Sequence, residues 1–358
     1  MTCKRCQSRT KETFGQGILY LHAPIEHTIT KLERILTKHG MPFARDEHLL
    51  AVQVEKQLAD LTNVLTKYLS HAELDDTRTL FVHEGEKPST DKIINAQSLA
   101  TLLAKLSAGW LIDMIQQHRL LVHLQPIVDA NDVSHIYGHE CLLRGVAENG
   151  DLVYPKHMFD IAHSAKLTYQ LDRAARLAAI HTVKDIRLDG HIFINFNPTS
   201  VYDPHTCLKS TFAAIQNSHL SPSQIVFEVT ESEYISDTDH LLGIIASYRE
   251  EGFRVALDDL GAGYGSLGLL AELKPDLVKF DRKLIQDIDN DSFKQRVLHS
   301  LLDMTHDLGI AAVAEGVERP EERDWLIEHG ADYLQGFLFG RPSKEPHTAS
   351  TATSTLQV

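Results

Sequence analysis

The sequence has few cysteines and no long apolar run, and each shortage excludes a class of protein. Four cysteines in 358 residues cannot form the disulfide framework of a small secreted protein. No uncharged apolar run approaches the roughly 18 residues that cross a bilayer. The first residues, MTCKRCQSRTKETFGQG, lack the apolar segment of a secretory signal. We therefore expect a cytoplasmic protein without a membrane partner.

Basic residues are scarce in the C-terminal two thirds of the chain. Residues 1–105 carry 14 Lys and Arg against 13 Asp and Glu, whereas the remainder carries 21 against 36, and the net charge is −14. Because duplex nucleic acid is bound through Lys and Arg that displace counterions, this surface argues against such a partner. An acidic protein that acts on a phosphate compound needs cations beside its substrate. The alternative is that the charges only solvate the surface.

Hydrophobic periodicity divides the chain into four parts. Residues 1–90 predict a small α+β domain, 91–109 a helical linker, and the Ser/Thr-rich residues 343–358 a disordered tail. Between them, over 110–342, short apolar runs alternate with helical segments. The runs are LVHLQPIV, HIFINF, QIVFEV, RVALDD, DLVKF, AAVAEG and DYLQG. This alternation predicts parallel βα units and hence an α/β fold, either a barrel or a doubly wound sheet.

Polar side chains end almost every apolar run. These residues are Glu140, Asn195, Asn197, Glu228, Glu231, Asp258, Asp259, Lys279, Asp281, Glu315 and Gln335. In a barrel they would meet at the rim formed by the carboxyl ends of the strands. One Asp at such a place is usually a helix N-cap, but capping does not account for so many. Oxygen ligands without cysteine suit Mg²⁺ or Mn²⁺, and the adjacent Asp258 and Asp259 suit a two-metal site.

Eight motifs occur in a fixed order over residues 110–342. They are QPIVD, ECLLRG, FINFNP, FEVTES, ALDDLGAGYGSL, KPDLVKFDR, VAEGVE and QGFLFGRP. Together they resemble the EAL family of cyclic di-GMP phosphodiesterases. The resemblance implies a modified (β/α)8 TIM-type barrel with one antiparallel strand, preceded here by the small N-terminal domain. It also implies metal-dependent hydrolysis of cyclic di-GMP to linear pGpG, and a homodimer formed through the barrel.

The resemblance implies roles for individual residues. The implied metal ligands are Glu140, Asn195, Glu228, Asp258, Asp259 and Glu315. The implied catalytic residues are Glu140, Glu315 as ligand or general base, and Lys279, which orients the attacking water. The implied substrate contacts are Gln125, Leu143, Arg144, Asp281 and Gln335. Glu231 falls where the family anchors the loop DLGAGYGSL, which links metal binding to dimerisation.

Two residues depart from the family pattern. Cys141 stands where the signature has Ala, and we expect a tolerated small residue, with a reactive thiol as the alternative. Gly265 stands where the family often has Ser, which adds flexibility to its loop. The sequence GAGYGS in the same loop does not predict a dinucleotide site, because Ser266 replaces the third glycine and two aspartates precede the loop.

Two questions stay open at this level. Cys3 and Cys6 could hold structural zinc with His22 and His27, form a redox pair, or lie in an incidental terminus. The barrel could be a cyclic di-GMP receptor that signals through protein contacts instead of an enzyme, or could hydrolyse a different phosphodiester. We expect the enzyme, because none of the implied ligands is missing, and we expect the N-terminal domain to regulate it or to dimerise.

Overall fold

The computed structural model describes residues 16–54, 58–186, 188, 190–201, 203–230, 238–261 and 266–347. These residues form two compact units. One unit contains the described residues through Arg119 together with Val153–Leu171, and the other contains Leu120–Leu152 and the described residues from Asp172 onward. The predictions made for Cys3, Cys6, Glu231 and Gly265 lie outside the described residues.

The first unit is the predicted α+β domain. Its antiparallel sheet has the order β2-β3-β1-β4-β5. The strands are β1 Gly17–His22, β2 Phe43–Asp46, β3 Leu49–Val54, β4 Arg78–His83 and β5 Gln97–Ser98. The helices are α1 Glu26–Lys38, α2 Leu58–Tyr68, α3 His71–Asp76, α4 Thr90–Ile94, α5 Leu99–Ser107, α6 Gly109–Gln116 and α7 Pro155–Ser164.

Buried and exposed side chains alternate along the strands of this unit, and the buried ones form its core. Leu19 and Leu21 of β1 are fully buried, whereas Ile18 between its neighbours is exposed. Apolar residues of α1 recur at helical spacing, and Leu32 and Leu36 pack in the same cluster as the strand residues. One face of the sheet therefore carries the core.

The segment predicted as a helical linker over 91–109 lies within this unit. Strand β5 pairs with β4, and Leu99, Leu102 and Leu103 of α5 are buried in the hydrophobic core. The physical reason is that α5 has an apolar face, which is stable only when it is buried. The sequence pattern did not reveal β5 or β2, because these edge strands have only two and four residues, too few to show an alternating pattern.

The second unit is the predicted barrel with a single antiparallel strand. In the described part of the chain, eight strands close in the order β6-β14-β13-β12-β11-β10-β9-β7 and back to β6. Strand β6 is antiparallel to both of its neighbours, and the other pairings are parallel. The strands are β6 Leu120–Asp129, β7 Ile136–Val146, β8 Leu152–Val153, β9 His191–Asn195, β10 Ile225–Thr230, β11 Arg254–Leu260, β12 Leu277–Phe280, β13 Ala311–Ala314 and β14 Tyr333–Gln335, with β8 beside β7 outside the ring.

Helices follow the barrel strands as the βα pattern predicts. They are α8 Thr168–Ile186, α9 Pro204–Cys207, α10 Lys209–Gln216, α11 Thr238–Glu250, α12 Ser266–Leu273, α13 Arg282–Ile285, α14 Ser292–Asp307 and α15 Pro320–Glu328, with 3-10 turns at Pro198–Ser200 and Pro222–Gln224. Of the predicted tail, residues 343–347 are described, and Ser343 exchanges both backbone hydrogen bonds with Leu124. Residues 348–358 lie outside the described residues. Among the described helices none alone has the length and composition of a membrane span, and the bent pair α5–α6 passes that test on length and composition only.

An apolar layer fills one end of the barrel. Its buried members are Ile127, Phe193, Val226, Ala256, Leu277 and Val313. Below this layer Tyr137 stacks between His191 and Tyr333, with ring centroids 4.3 Å and 3.8 Å away. Arg254 donates a 2.7 Å hydrogen bond to the Tyr137 hydroxyl. This end of the barrel is therefore filled with packed side chains.

The packing of α5 gives a test with a control on the same predicted linker. Leu102 is 2% exposed and Ile94 is 77% exposed. We expect Leu102→Ala to lower the free energy of unfolding by about 2–5 kcal/mol, because it leaves a cavity in the core. The control Ile94→Ala should change it by less than about 0.5 kcal/mol. Urea unfolding measures both, and equal effects would contradict the assignment of α5 to the core.

Candidate active site

A layer of polar side chains lies directly above the apolar layer of the barrel. Strand residues two positions apart face the same side of a strand. Six site residues follow this rule, each two positions from a buried apolar residue of the layer below. They are Asn195 from Phe193, Glu228 from Val226, Asp258 from Ala256, Lys279 from Leu277, Glu315 from Val313 and, on the antiparallel strand, Gln125 from Ile127. The two-residue repeat of the strands thus gives the barrel interior an apolar layer and, above it, a polar layer.

Lys279 lies at the centre of this layer. Its side chain is 1% exposed, and its Nζ lies 2.5 Å from Glu315 Oε1 and 2.6 Å from Glu228 Oε1. The same Nζ lies 3.3 Å from Glu140 Oε2 and 3.5 Å from Asp258 Oδ1. Residues predicted from five separate strand ends therefore meet at one ammonium group.

Amide side chains complete the layer around Glu140. Asn195 Nδ2 donates to Glu140 Oε1 at 3.0 Å, and Gln335 Nε2 donates to Glu140 Oε2 at 2.7 Å. Gln335 also lies 3.3 Å from Gln125 Oε1, and Gln125 donates to the Gly340 carbonyl at 3.3 Å. Hence two predicted substrate residues, Gln125 and Gln335, contact each other and reach the predicted metal ligands.

A β-bulge brings Asp258 and Asp259 to the same site. Between Leu257 and Leu260 the pairing of β11 with β12 shifts, so that the two aspartates lie opposite Lys279 alone. Asp259 adopts a left-handed backbone conformation with φ of 59°, which re-aims its side chain. In a regular strand two adjacent residues would face opposite sides. The bulge is the reason that both carboxylates can serve one site.

The charge of the site favours divalent cations. Asp258, Asp259 and Glu315 each offer an oxygen, and these oxygens lie within 4.8 Å of one another. With Glu140 and Glu228 they make five carboxylates around Lys279 within the described residues. If all are ionised, four negative charges remain uncompensated, which is the charge that two divalent ions carry. Clustered carboxylate and amide oxygens are ligands that suit Mg²⁺ or Mn²⁺.

The pKa values of the site carboxyl groups are raised, as expected where negative charges outnumber positive ones. Burial, together with Asp258 and Glu140, raises the pKa of Glu315 to about 8. Burial and the adjacent Asp258 raise the pKa of Asp259 to about 6. Burial also raises the pKa of Glu228 well above its ordinary value. Without added cations the site therefore favours protonated carboxyl groups over a full set of carboxylates.

Two residues of the site stay ionised. Burial disfavours the charged form of Glu140, but Lys279 and the amide donors outweigh it, and the pKa of Glu140 is lowered. Burial likewise opposes the charge on Lys279, yet the surrounding carboxylates raise its pKa well above the ordinary value. Glu140 and Lys279 therefore form the permanently charged pair of the site.

The register of β7 decides which of its predicted residues lie on the same face as Glu140. Strand β7 pairs regularly with β6 from Gly145 to Gly138, so Glu140, Leu142 and Arg144 share one face of the strand. Leu143 lies on the opposite face, away from Glu140. Leu142 lies on the face of Glu140, and counting by two from Glu140 would have found it, whereas the contact of Leu143 with substrate stays a prediction. Arg144 is buried, and its Nη1 donates to the Leu143 carbonyl at 2.7 Å.

Asp281 has a local role that the structure shows directly. It follows β12, and its Oδ1 accepts a 2.9 Å hydrogen bond from the Lys283 amide, which makes it the N-cap of α13. Its charge also contributes to the raised pKa of Asp259. Asp281 therefore lies close enough to influence the site. Its contact with substrate stays a prediction.

Asp172 holds the loop that follows Asn195, a role that the sequence reasoning missed. Its Oδ1 accepts from the Asn197 amide at 3.0 Å, and its Oδ2 accepts from the Ser200 hydroxyl at 2.6 Å. Asp172 is 3% exposed and pairs with the fully buried Arg176. The buried ion pair thus fixes the strand end from which Asn195 projects.

Glu322 holds the loop that follows Glu315. It is 2% exposed, and its Oε2 accepts from the amides of Glu318 and Arg319 at 3.0 Å and 3.1 Å. A Glu three residues after a helix cap is a recognised capping position, and that spacing was the available sequence signal.

Cys141 is a structural residue in this fold. Its side chain is 5% exposed on the face of β7 opposite Glu140. Burial raises the pKa of its thiol above the ordinary value, so the reactive thiolate does not form near neutral pH. The expectation of a tolerated small residue agrees with this position, and the alternative of a reactive thiol is disfavoured.

Comparison with protein families decides the identity of the barrel. The model of the EAL domain matches residues 108–342. The chain belongs to the EAL family. The match begins near α6 and ends just after β14, so it covers the barrel and its polar layer. The resemblance inferred from the eight motifs is confirmed.

Curated relatives of the EAL domain include named phosphodiesterases. Cyclic di-GMP phosphodiesterase RocR of Pseudomonas aeruginosa is 31% identical over 229 residues, which cover 63% of this chain and 58% of RocR. Signaling protein YkoW of Bacillus subtilis is 30% identical over 235 residues, covering 64% of this chain and 29% of YkoW. The chain thus spans less than two thirds of the length of these relatives.

Solved structures show the same fold. A standalone EAL protein from Vibrio cholerae O395, solved in its c-di-GMP bound form, is 31% identical, with a TM-score of 0.58 and coverage of 64% of this chain and 94% of that chain. BlrP1 of Klebsiella pneumoniae, solved with manganese and cyclic di-GMP, is 23% identical with a TM-score of 0.57. It covers 92% of this chain and 96% of that chain, so the likeness of fold extends into the N-terminal unit.

The raised pKa of Glu315 predicts a loss of stability at alkaline pH. The folded chain retains a proton on Glu315 up to about pH 8, whereas the unfolded chain loses it near the ordinary value of 4.5. Stability therefore falls as pH rises through this window. His139, whose pKa is lowered to about 4, acts in the opposite direction only below about pH 6.5. We expect the melting temperature in EDTA to fall between pH 6.5 and 8.

Glu315→Gln is the matched control for this measurement, because it keeps the shape of the side chain and removes its titration. The variant should show a flatter pH dependence between pH 6.5 and 8. If the melting temperature of the unaltered chain is constant or rises over this range, the raised pKa of Glu315 is contradicted.

Proposed function

We propose that this chain hydrolyses cyclic di-GMP to linear pGpG in a reaction that depends on Mg²⁺ or Mn²⁺. The observation that carries the proposal is the complete polar layer: five carboxylates and Asn195 around Lys279, at the carboxyl ends of the barrel strands. This is the end of such barrels where active sites are built. Relatives that are named cyclic di-GMP phosphodiesterases support the choice of substrate.

The proposed metal ligands are Glu140, Asn195, Glu228, Asp258, Asp259 and Glu315. When bound, the divalent ions would lower the pKa of the attacking water and offset charge on the phosphodiester oxygens. The charge count of the site fits a pair of such ions. The bulge at Asp259 supplies two adjacent carboxylates, and a two-metal site needs ligands placed in this way.

The residues of the chain have distinct parts in the proposed reaction. Lys279 holds Glu315 and Glu228 by ion pairs and orients the attacking water. Glu315 serves as a ligand or accepts the proton of that water. The water oxygen bonds to phosphorus, one bond between phosphorus and a ribose 3′ oxygen breaks, and the proton passes to that leaving oxygen. Adding one water opens the ring and leaves pGpG.

Binding of the substrate is assigned to the residues around the mouth of the barrel. The guanidinium of Arg144 can bind a phosphate through two parallel hydrogen bonds, which a lysine cannot do. Gln125 and Gln335 lie beside each other and offer amide groups to polar atoms of the nucleotide. Leu142, on the face of β7 shared with Arg144, supplies an apolar contact.

The N-terminal unit is proposed to regulate the barrel or to dimerise. This assignment depends on the presence of a separate α+β unit with its own core. The homodimer through the barrel, and the role of Glu231 in it, are proposals that follow from the family.

Removing one carboxylate tests the metal site. We expect Asp258→Asn to lower turnover of cyclic di-GMP at least about 100-fold, because a ligand is lost while the side-chain volume is kept. The control is Asp303→Asn, which changes the same chemical group on the exposed surface of α14 and should keep turnover within about twofold. Chromatography of the nucleotides after incubation with each divalent ion measures both. Full activity of Asp258→Asn would contradict the site assignment.

The same assay separates the enzyme from the receptor. An enzyme forms pGpG with Mg²⁺ or Mn²⁺, and its rate falls to background in EDTA. Tight binding of cyclic di-GMP with no pGpG formed with either ion would overturn the proposed hydrolysis and favour the receptor. Other cyclic dinucleotides can be added as competitors of cyclic di-GMP turnover. If they bind as tightly as cyclic di-GMP, the chain acts on a different phosphodiester substrate.

A further inference from the structure

His123 lies in the barrel mouth one layer above Gln125. Residues 121, 123 and 125 of β6 share a face of the strand, and the hydrogen bonds of Gln125 show that this face is the barrel interior. Because β6 is antiparallel to the other strands, its amino-terminal end lies at their carboxyl ends. His123 therefore points toward the mouth.

Strand register identifies the neighbours of His123 across the sheet. His123 pairs with Leu142 of β7, and the preceding residue of β7, Cys141, pairs with Ile194 of β9. Continuing this register by one residue, Leu142 follows Cys141 as Asn195 follows Ile194, so His123, Leu142 and Asn195 lie in a row across three neighbouring strands. The polar layer and His123 thus belong to one continuous wall, and His123 is half-buried in it.

The ring of His123 has a hydrogen-bond partner in the backbone. It bonds to the backbone of Pro342. Proline has no backbone N–H, so the ring must donate to the Pro342 carbonyl. Burial and the charge of Arg144 lower the pKa of His123, which keeps the imidazole neutral near pH 7. In a neutral imidazole with one N–H engaged, the other nitrogen is a hydrogen-bond acceptor.

An acceptor at this position distinguishes between the parts of the substrate. Phosphate oxygens only accept hydrogen bonds, so they gain nothing from such a nitrogen. The Watson–Crick edge of guanine carries two adjacent donors, N1–H and N2–H. Adenine has a donor only at its N6 amino group and an acceptor at N1, so the two bases differ at the ring nitrogen. We propose that His123 receives a guanine of the substrate by accepting a hydrogen bond from this edge, and that it thereby contributes to base specificity. This inference rests on the proposed function.

Two variants of His123 test the assignment. His123→Phe keeps a planar ring and removes both nitrogens, so KM for cyclic di-GMP should rise about tenfold, while kcat stays within about twofold. His123→Gln retains a donor for the Pro342 carbonyl and an acceptor for guanine, and it should restore KM to within about threefold. His181→Phe, which makes the same change on the exposed surface of α8, is the control.

Competition between nucleotides provides a second measurement, of base specificity, which would not change if His123 had only a structural role. Cyclic di-AMP is added as an inhibitor of cyclic di-GMP turnover, and the ratio of its inhibition constant to KM is compared between the variants. We expect this ratio to fall about tenfold in His123→Phe and to remain near the unaltered value in His123→Gln. Thermal unfolding confirms that each variant is folded.

The outcomes separate this inference from the proposed function. An unchanged KM and an unchanged inhibition ratio in His123→Phe, with normal turnover by the unaltered chain, would overturn the role of His123 alone. A loss confined to kcat would do the same. If the unaltered chain neither binds nor hydrolyses cyclic di-GMP, the proposed function fails and the guanine contact fails with it.

Discussion

A single buried ammonium group faces more negative charge than it can neutralise. Lys279 is surrounded by carboxylates within 3.5 Å, and the raised pKa values of Glu315, Asp259 and Glu228 are the consequence. Burying unpaired charge costs several kcal/mol per group in a protein interior. A fold that nevertheless gathers these groups has a site suited to additional cations.

The barrel makes this concentration of charge possible. Packed apolar side chains below the site, from Phe193 and Leu277 down to Tyr137, hold the strands in register without help from the polar layer. The polar residues can therefore be arranged for chemistry while the core supplies stability. Two local irregularities complete the arrangement: the bulge at Asp259 doubles the carboxylates of one strand, and the reversed strand β6 brings Gln125 and His123 into the mouth.

Much of the site was predictable because it follows strand periodicity. The polar ends of the apolar runs identified Glu140, Glu228 and Lys279, and the structure brings these residues together. The fold class followed from the alternation of strands and helices, although the residues alone left a barrel and a doubly wound sheet equally open. The resemblance to the EAL family chose the barrel.

Other features depended on contacts that a pattern does not contain. Which of the adjacent Leu142 and Leu143 shares a face with Glu140 depends on the exact register of β7, and the motif alone does not give that register. Helix α5 was taken for a linker because the strand that precedes it has two residues and the core that buries it lies far away in the sequence. Asp172 acts through buried hydrogen bonds to a loop, and nothing in its local sequence distinguishes it from a surface aspartate.

The number of divalent ions bound by the folded chain tests the central claim most directly. Titration with Mn²⁺, followed by electron paramagnetic resonance of the free ion at pH 8, gives the stoichiometry without reference to any substrate. The charge count around Lys279 predicts two ions per chain. Absence of Mn²⁺ binding at millimolar concentration, or binding that persists unchanged when Asp258 and Glu140 are replaced by Asn and Gln, would contradict the account.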